Sequence, residues 1–164
     1  MFKKTVWIAI LITAAAVAQD KPNPAPGPTL RLEYTVVEME GAKKTSSRTY
    51  TMMLEGGKTG RMRTGTRVPF SSGKDQALQY MDVGTNFDAR TTMTEGAVRV
   101  ITIFEISSVT AAEGPSVTRA PVLRSCSDNV ETVVPLDKQV VLTTQDDPGN
   151  NTSLQVLLVI KLVK

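Results

Sequence analysis

Histidine is absent from the 164-residue chain, and cysteine occurs once, at Cys126. Without imidazole there is no serine–histidine or cysteine–histidine triad and no ordinary zinc site. A single thiol cannot close a disulfide within its own chain, so Cys126 is either buried and inert or available to a partner. Aromatic residues are scarce: one Trp, three Tyr and four Phe. Valine, isoleucine, leucine and methionine must therefore fill whatever core exists. Beyond the first twenty residues no amphipathic segment of three helical turns stands out, and no fixed-period repeat is visible.

Those first twenty residues have a different character. Lys3 and Lys4 give a positive start, Val6 to Val17 form an apolar run broken only by Thr13, and Ala16 and Ala18 follow. Small residues at those two positions suit the groove of a signal peptidase, and the run is shorter than the roughly 20 residues that span a bilayer as a helix. The expectation is a signal peptide over 1–18 and an exported protein. The full chain carries 19 basic and 16 acidic side chains; removing Lys3 and Lys4 leaves 17 and 16, a charge of +1. The short basic groupings, Lys43-Lys44 and Arg61, Arg63 and Arg67, read as solvated side chains on a strand or loop and give no sequence footprint for nucleic acid. Residues 19–28 contain KPNPAPGP, whose prolines lack backbone donors and favour an extended tether. Residues 29–164 are expected to form one β-rich domain, a length that buries about two-thirds of the extended chain's surface.

Within that domain the side chains alternate. Leu30, Leu32, Tyr34 and Val36 read as one covered strand face. Gly41–Ser47 reads as a polar connection, and Arg48–Leu54 as a second strand. Glu55-Gly56-Gly57 reads as a hairpin turn into a strand around Arg61–Arg67, and Val68-Pro69-Phe70 ends that strand or puts it at an edge, since Pro69 cannot donate to a ladder. Val83, Thr85, Phe87, Ala89, Thr91 and Met93 share a face, opposite Asp82, Asn86, Asp88 and Arg90, and Gly84 marks a bulge or a close backbone approach. After Thr94-Glu95-Gly96, Val98, Val100, Thr102, Phe104 and Ile106 point one way, placing Phe104 in one core with Phe87. The opposite face, with Ile101 and Ile103, is half apolar and is expected to be partly covered. Val122–Val134 reads as strand-like but broken at Ser125–Asn129, with a turn at Pro135–Lys138. Gln139–Thr144 and Leu154–Val163 close the chain around a polar turn, Gln145–Ser153. The fold class is all-β: seven to nine mainly antiparallel, hairpin-linked strands, as an open sheet, a sandwich or a segment of a multimeric barrel.

No residue set commits the chain to catalysis, a cofactor or a metal. Asp82 and Asp88 are six positions apart, about 20 Å along one strand, too far for a paired acid and base. Asp128 and Asp137 meet only if an unread pairing joins them. Asp146-Asp147 offers oxygens to a hard cation but lacks the alternating acidic spacing of a calcium loop. Ser72 and Lys74 lack Ser-x-x-Lys spacing and the full phosphate-loop pattern. Asn150 and Asn151 each head an N-glycosylation acceptor pattern.

Four segments together resemble the β-domain of secretins, the ring-forming outer-membrane channels of type II and type III secretion and type IV pilus systems. They are Leu54-Glu55-Gly56-Gly57 with Arg63-Thr64-Gly65-Thr66-Arg67-Val68-Pro69-Phe70; Tyr80 through Ala89 with its Val83-Gly84-Thr85; Glu95 through Val100 leading into Phe104-Glu105-Ile106-Ser107-Ser108-Val109; and Pro121-Val122-Leu123-Arg124, Val130 to Val134 and Asp137 to Leu142. Lys138 stands where the family usually has glycine. The family's Val-Pro…Leu-Gly…Ile-Pro…Leu-Gly stretch and its N-terminal ring-building modules are missing. The resemblance implies a secretin-like β-domain in short, stand-alone form, without enzymatic activity, in the periplasm or at the outer membrane. It implies self-association through sheet edges, or association with another envelope protein, and no complete channel from one chain. The alternative is an independent binding module that takes a peptide, glycan or envelope protein, with strand addition as its mode.

Overall fold

Every regular element among the described residues of the computed structural model is a β-strand; those residues are 27–70, 78–110, 122–147 and 151–163. The expected signal segment 1–18, most of the tether, the Ser72–Lys74 pair and Asn150 lie outside them. The strands are β1 (Thr29–Glu40), β2 (Lys43–Glu55), β3 (Thr59–Phe70), β4 (Gln79–Thr94), β5 (Ala97–Thr110), β6 (Val122–Pro135), β7 (Gln139–Asp147) and β8 (Thr152–Leu162). They form two four-stranded sheets, ordered β2-β1-β8-β7 and β3-β4-β5-β6, with every pairing antiparallel. The first and last strands pair in the middle of one sheet, from Leu30↔Leu162 to Glu40↔Thr152.

The sheets stack through one alternating set of side chains, as the pleat requires. Leu30, Leu32, Tyr34 and Val36 from β1 and Val156, Leu158 and Ile160 from β8 meet Phe87 and Ala89 from β4, and Val98, Val100 and Phe104 from β5. The Tyr34 ring stacks on Phe87 at 4.3 Å, and Phe104 lies 6.1 Å from Phe87. Two hydroxyl contacts cross between the sheets: Tyr34 Oη with Thr102 Oγ1 at 2.9 Å, and Tyr50 Oη with Thr85 Oγ1 at 3.1 Å. Both threonines are buried, so these bonds satisfy groups that water does not reach.

Several expectations need correction. β2 and β3 are not a hairpin. β2 pairs back with β1, β3 pairs forward with β4, and the turn between them carries the chain from one sheet to the other. That turn is fixed by Gly56 N donating to Pro28 O and Gly57 N donating to Thr91 O, both at 2.9 Å. Gly57 has φ 86°, a value glycine adopts without a Cβ penalty. The turn between β6 and β7 makes the same passage in reverse. The connection read at Gly41–Ser47 shrinks to Gly41-Ala42, because Lys43 onward pairs with β1. Ser125–Asn129 does not break its strand: β6 pairs with β5 without interruption from Val122 to Pro135. Likewise β7 runs on to Asp147. The outer face of β5 is not covered by another described element, and Ile103 is 50% exposed.

At the end of the molecule away from the turns joining the sheets, the ladder between β4 and β5 stops at Thr85↔Ile106, while β3–β4 and β5–β6 continue to Phe70↔Gln79 and Thr110↔Val122. The two hairpins therefore part. Gly65 and Gly84 are directly paired there, and a Cβ at Gly84 would overlap the Thr64 carbonyl oxygen. The Ser107 hydroxyl takes over from the ladder, accepting from Gly84 N at 3.0 Å and donating to Gly84 O at 3.4 Å. The close approach anticipated at Gly84 is thus a strand-to-strand one.

Candidate functional site

Two sheets of four strands have four edges, and the topology collects these edges into two flanks. β2 and β3 lie beside one another on one flank, β6 and β7 on the other. No ladder joins the members of either flank. Each edge strand therefore presents a row of backbone donors and acceptors that no strand among the described residues takes up. Such an edge is either blunted or paired with another chain. Pro69 blunts β3 only near its tip. From Arg63 to Arg67 that strand is exposed on both faces, and Leu123 to Ser125 on β6 are exposed likewise.

The polar residues weighed in the sequence fall on these strands or next to them, mostly as ion pairs. Arg63 Nη2 lies 2.9 Å from Asp88, Arg61 Nε 3.7 Å from the same carboxylate, and Arg67 Nε 2.9 Å from Asp82. The Arg67 hydrogen bond holds the Asp82 carboxyl below its usual range. The two aspartates serve separate arginines and form no acid–base pair. On β5 and β6, Arg99 Nη1 lies 3.4 Å from Glu131. On the other sheet, the Lys161 hydrogen bond, helped by Arg31, lowers the Glu33 carboxyl against a smaller effect of burial.

Cys126 faces inward on β6 and donates its thiol to Gln145 Oε1 of β7 at 2.7 Å, linking the two sheets at that flank. It is half-buried, and burial together with the Asp128 charge pushes its thiol up, away from the reactive thiolate. Asp128 shares that inner face, whereas Asp137 sits in the β6–β7 turn with φ 60°; the fold does not make them a pair. Asp146 lines an open hollow of about 320 Å³ with Gly41, Asn151, Thr152 and Ser153. Among the described residues there is no group of three cysteine, aspartate or glutamate side chains able to hold a metal ion. What sequence reasoning missed is the grouping of edges into flanks, which depends on strand pairing and has no local signal.

No protein-family model matches the chain, and no curated protein matches it in sequence. Solved structures do match in fold. The InvG secretin-domain β-barrel of the Salmonella injectisome is 9% identical with a TM-score of 0.56, covering 84% of this chain and 63% of that one. A chain of the Klebsiella pneumoniae type II secretion outer-membrane complex of PulD, PulS and PulC gives 11% and 0.60, with 84% and 40% covered. The type II secretin XcpQ of Pseudomonas aeruginosa gives 14% and 0.55, with 84% and 59% covered. The chain thus spans roughly two-fifths to two-thirds of the length of these proteins. At this level of identity what is shared is the fold: an all-β, antiparallel, hairpin-linked architecture of the secretin-domain type.

Proposed function

We propose that this chain is a non-enzymatic envelope protein whose secretin-like β-domain assembles with further copies of itself, in a structural role in protein secretion or a pilus-type system. The observation that carries this reading is the pair of open flanks. Strand direction alternates around the whole molecule, so β6 of one copy and β3 of the next run antiparallel when the copies are related by rotation about the strand direction. β7 and β2 do so as well. Flank-to-flank docking would continue both sheets at once, in a heterologous contact that closes into a ring if the rotation permits. The secretin-type fold supports the same arrangement. The export signal expected over 1–18 supports a periplasmic or outer-membrane location.

The same edges favour a second reading, a binding module that accepts one strand of a foreign envelope protein by β-addition. Light scattering and electron microscopy of the protein purified from the envelope fraction separate the two. Assembly that grows with concentration and gives rings or arcs supports the first. A soluble monomer at every micromolar concentration contradicts it, and one such monomer bound to a single foreign strand establishes the second.

A further inference from the structure

The two flanks carry opposite charge. Residues 43–70, the β2–β3 flank, hold seven basic side chains and one acidic. Residues 122–147, the β6–β7 flank, hold five acidic and two basic. Part of this charge is used within the chain: Arg61, Arg63 and Arg67 hold Asp88 and Asp82, and Glu131 holds Arg99. Lys43, Lys44, Arg48 and Lys58 on one flank, and Asp137, Lys138 and Asp146 on the other, are exposed and make no ion pair with another described residue.

The strand registers set the lysines of β2 and the aspartates of β7 at matching heights. Lys43 pairs with Glu40, Glu40 with Thr152, and Thr152 with Asp147. Lys44 leads in the same way through Met39 and Ser153 to Asp146. The two lysines on the free edge of β2 thus stand level with the two aspartates on the free edge of β7, across the whole width of the sheet. A copy docked flank to flank without stagger in this sheet brings Lys43 and Lys44 beside Asp147 and Asp146.

We propose that the partner of each flank is the opposite flank of a second copy, selected by charge: the lysine-bearing β2–β3 flank of one copy docks on the aspartate-bearing β6–β7 flank of the next. This rests on the edge-pairing reading above and adds what gives it direction and specificity. Like flanks repel, so two-fold docking of β2 on β2 or β7 on β7 is disfavoured, and only head-to-tail association is left. Exposed pairs of this kind steer encounter and reject wrong registers more than they add affinity, and salt screens them.

The test is charge exchange in the full-length protein. Lys43→Asp with Lys44→Asp makes one variant; Asp146→Lys with Asp147→Lys makes the other. All four positions lie beside turns at a sheet edge, and circular dichroism checks that each variant keeps its strand signal. Sedimentation in low salt should show each variant alone associating at least about tenfold more weakly than the parent, since like charges now meet. An equimolar mixture should regain association, because each altered flank finds a complementary one and each unaltered flank finds its native partner. Half-molar salt should weaken the parent and the mixture alike. If the parent associates but the variants match it, or the mixture fails to recover, the charge-selection proposal is wrong while edge pairing stands. If the parent is monomeric even in low salt, both are wrong.

Discussion

Replacing Tyr34 by phenylalanine isolates one polar contact in an otherwise apolar interior. The Tyr34 ring, fully buried, stacks on Phe87, and phenylalanine keeps that stacking. What is lost is the 2.9 Å bond to Thr102 Oγ1. Thr102 is itself fully buried, so its hydroxyl is left without water or another partner. An orphaned buried hydroxyl costs about 1–3 kcal/mol, and Tyr34→Phe should lower unfolding stability by that amount. Thr102→Val should cost a similar amount by orphaning the tyrosine. The double variant should cost less than the two single changes together, because removing both partners leaves nothing unsatisfied. A second signature is alkaline. Burial pushes the Tyr34 hydroxyl up to about 12, against a smaller opposing effect of Thr102. The folded state therefore keeps a proton that the unfolded state releases above about pH 10. The contribution is complete below pH 10 and is lost as pH rises towards 12, by roughly 2–3 kcal/mol over that window. Urea unfolding of the four proteins at neutral pH, and of parent and Tyr34→Phe from pH 9 to 12, measures both effects. Additive single and double changes, or parallel alkaline limbs, would refute this account of the core.

Other outcomes follow from individual contacts. Gly84→Ala forces a Cβ onto the Thr64 carbonyl and should destabilise the protein by roughly 1–3 kcal/mol or more in thermal melts, whereas Ser108→Ala nearby should be close to neutral. Cys126 should react with iodoacetamide at pH 8 more slowly than free cysteine does, because its thiol is half-buried and held protonated. Glu33→Gln should flatten part of the acid limb of the stability curve. A carboxyl held low by Lys161 stabilises the fold above its unfolded value and loses that contribution as pH falls, which a urea series from pH 6 to 3 detects.

How the chain would fold was legible where a local rule decides it. Alternation alone places Leu30 to Val36, Val83 to Met93 and Val98 to Ile106 on inward faces, since pleated backbone switches sides at each residue. It also joins Phe87 to Phe104, which the structure pairs directly. Pairing between distant strands is another matter. Nothing near Thr29 or Leu162 indicates that β1 and β8 are neighbours. A glycine turn after Leu54 has the same chemistry whether it closes a hairpin or passes the chain to a second sheet, and the ladder of β2 back to β1 decides which. Ser125–Asn129 looks like a loop because edge strands need no apolar alternation; β5 supplies the backbone partners and solvent receives the outward side chains. The oppositely charged flanks were hidden for the same reason: neither charge count means anything until strand order shows which residues share an edge.

Amide hydrogen exchange followed over a range of protein concentrations tests the central claim most directly. If open flanks are where copies meet, amides on β2, β3, β6 and β7 gain protection as concentration rises, while those of β4 and β5, already paired on both sides over most of their length, keep the same rates. Edge-strand exchange that ignores concentration, or protection that rises evenly across both sheets, would contradict it.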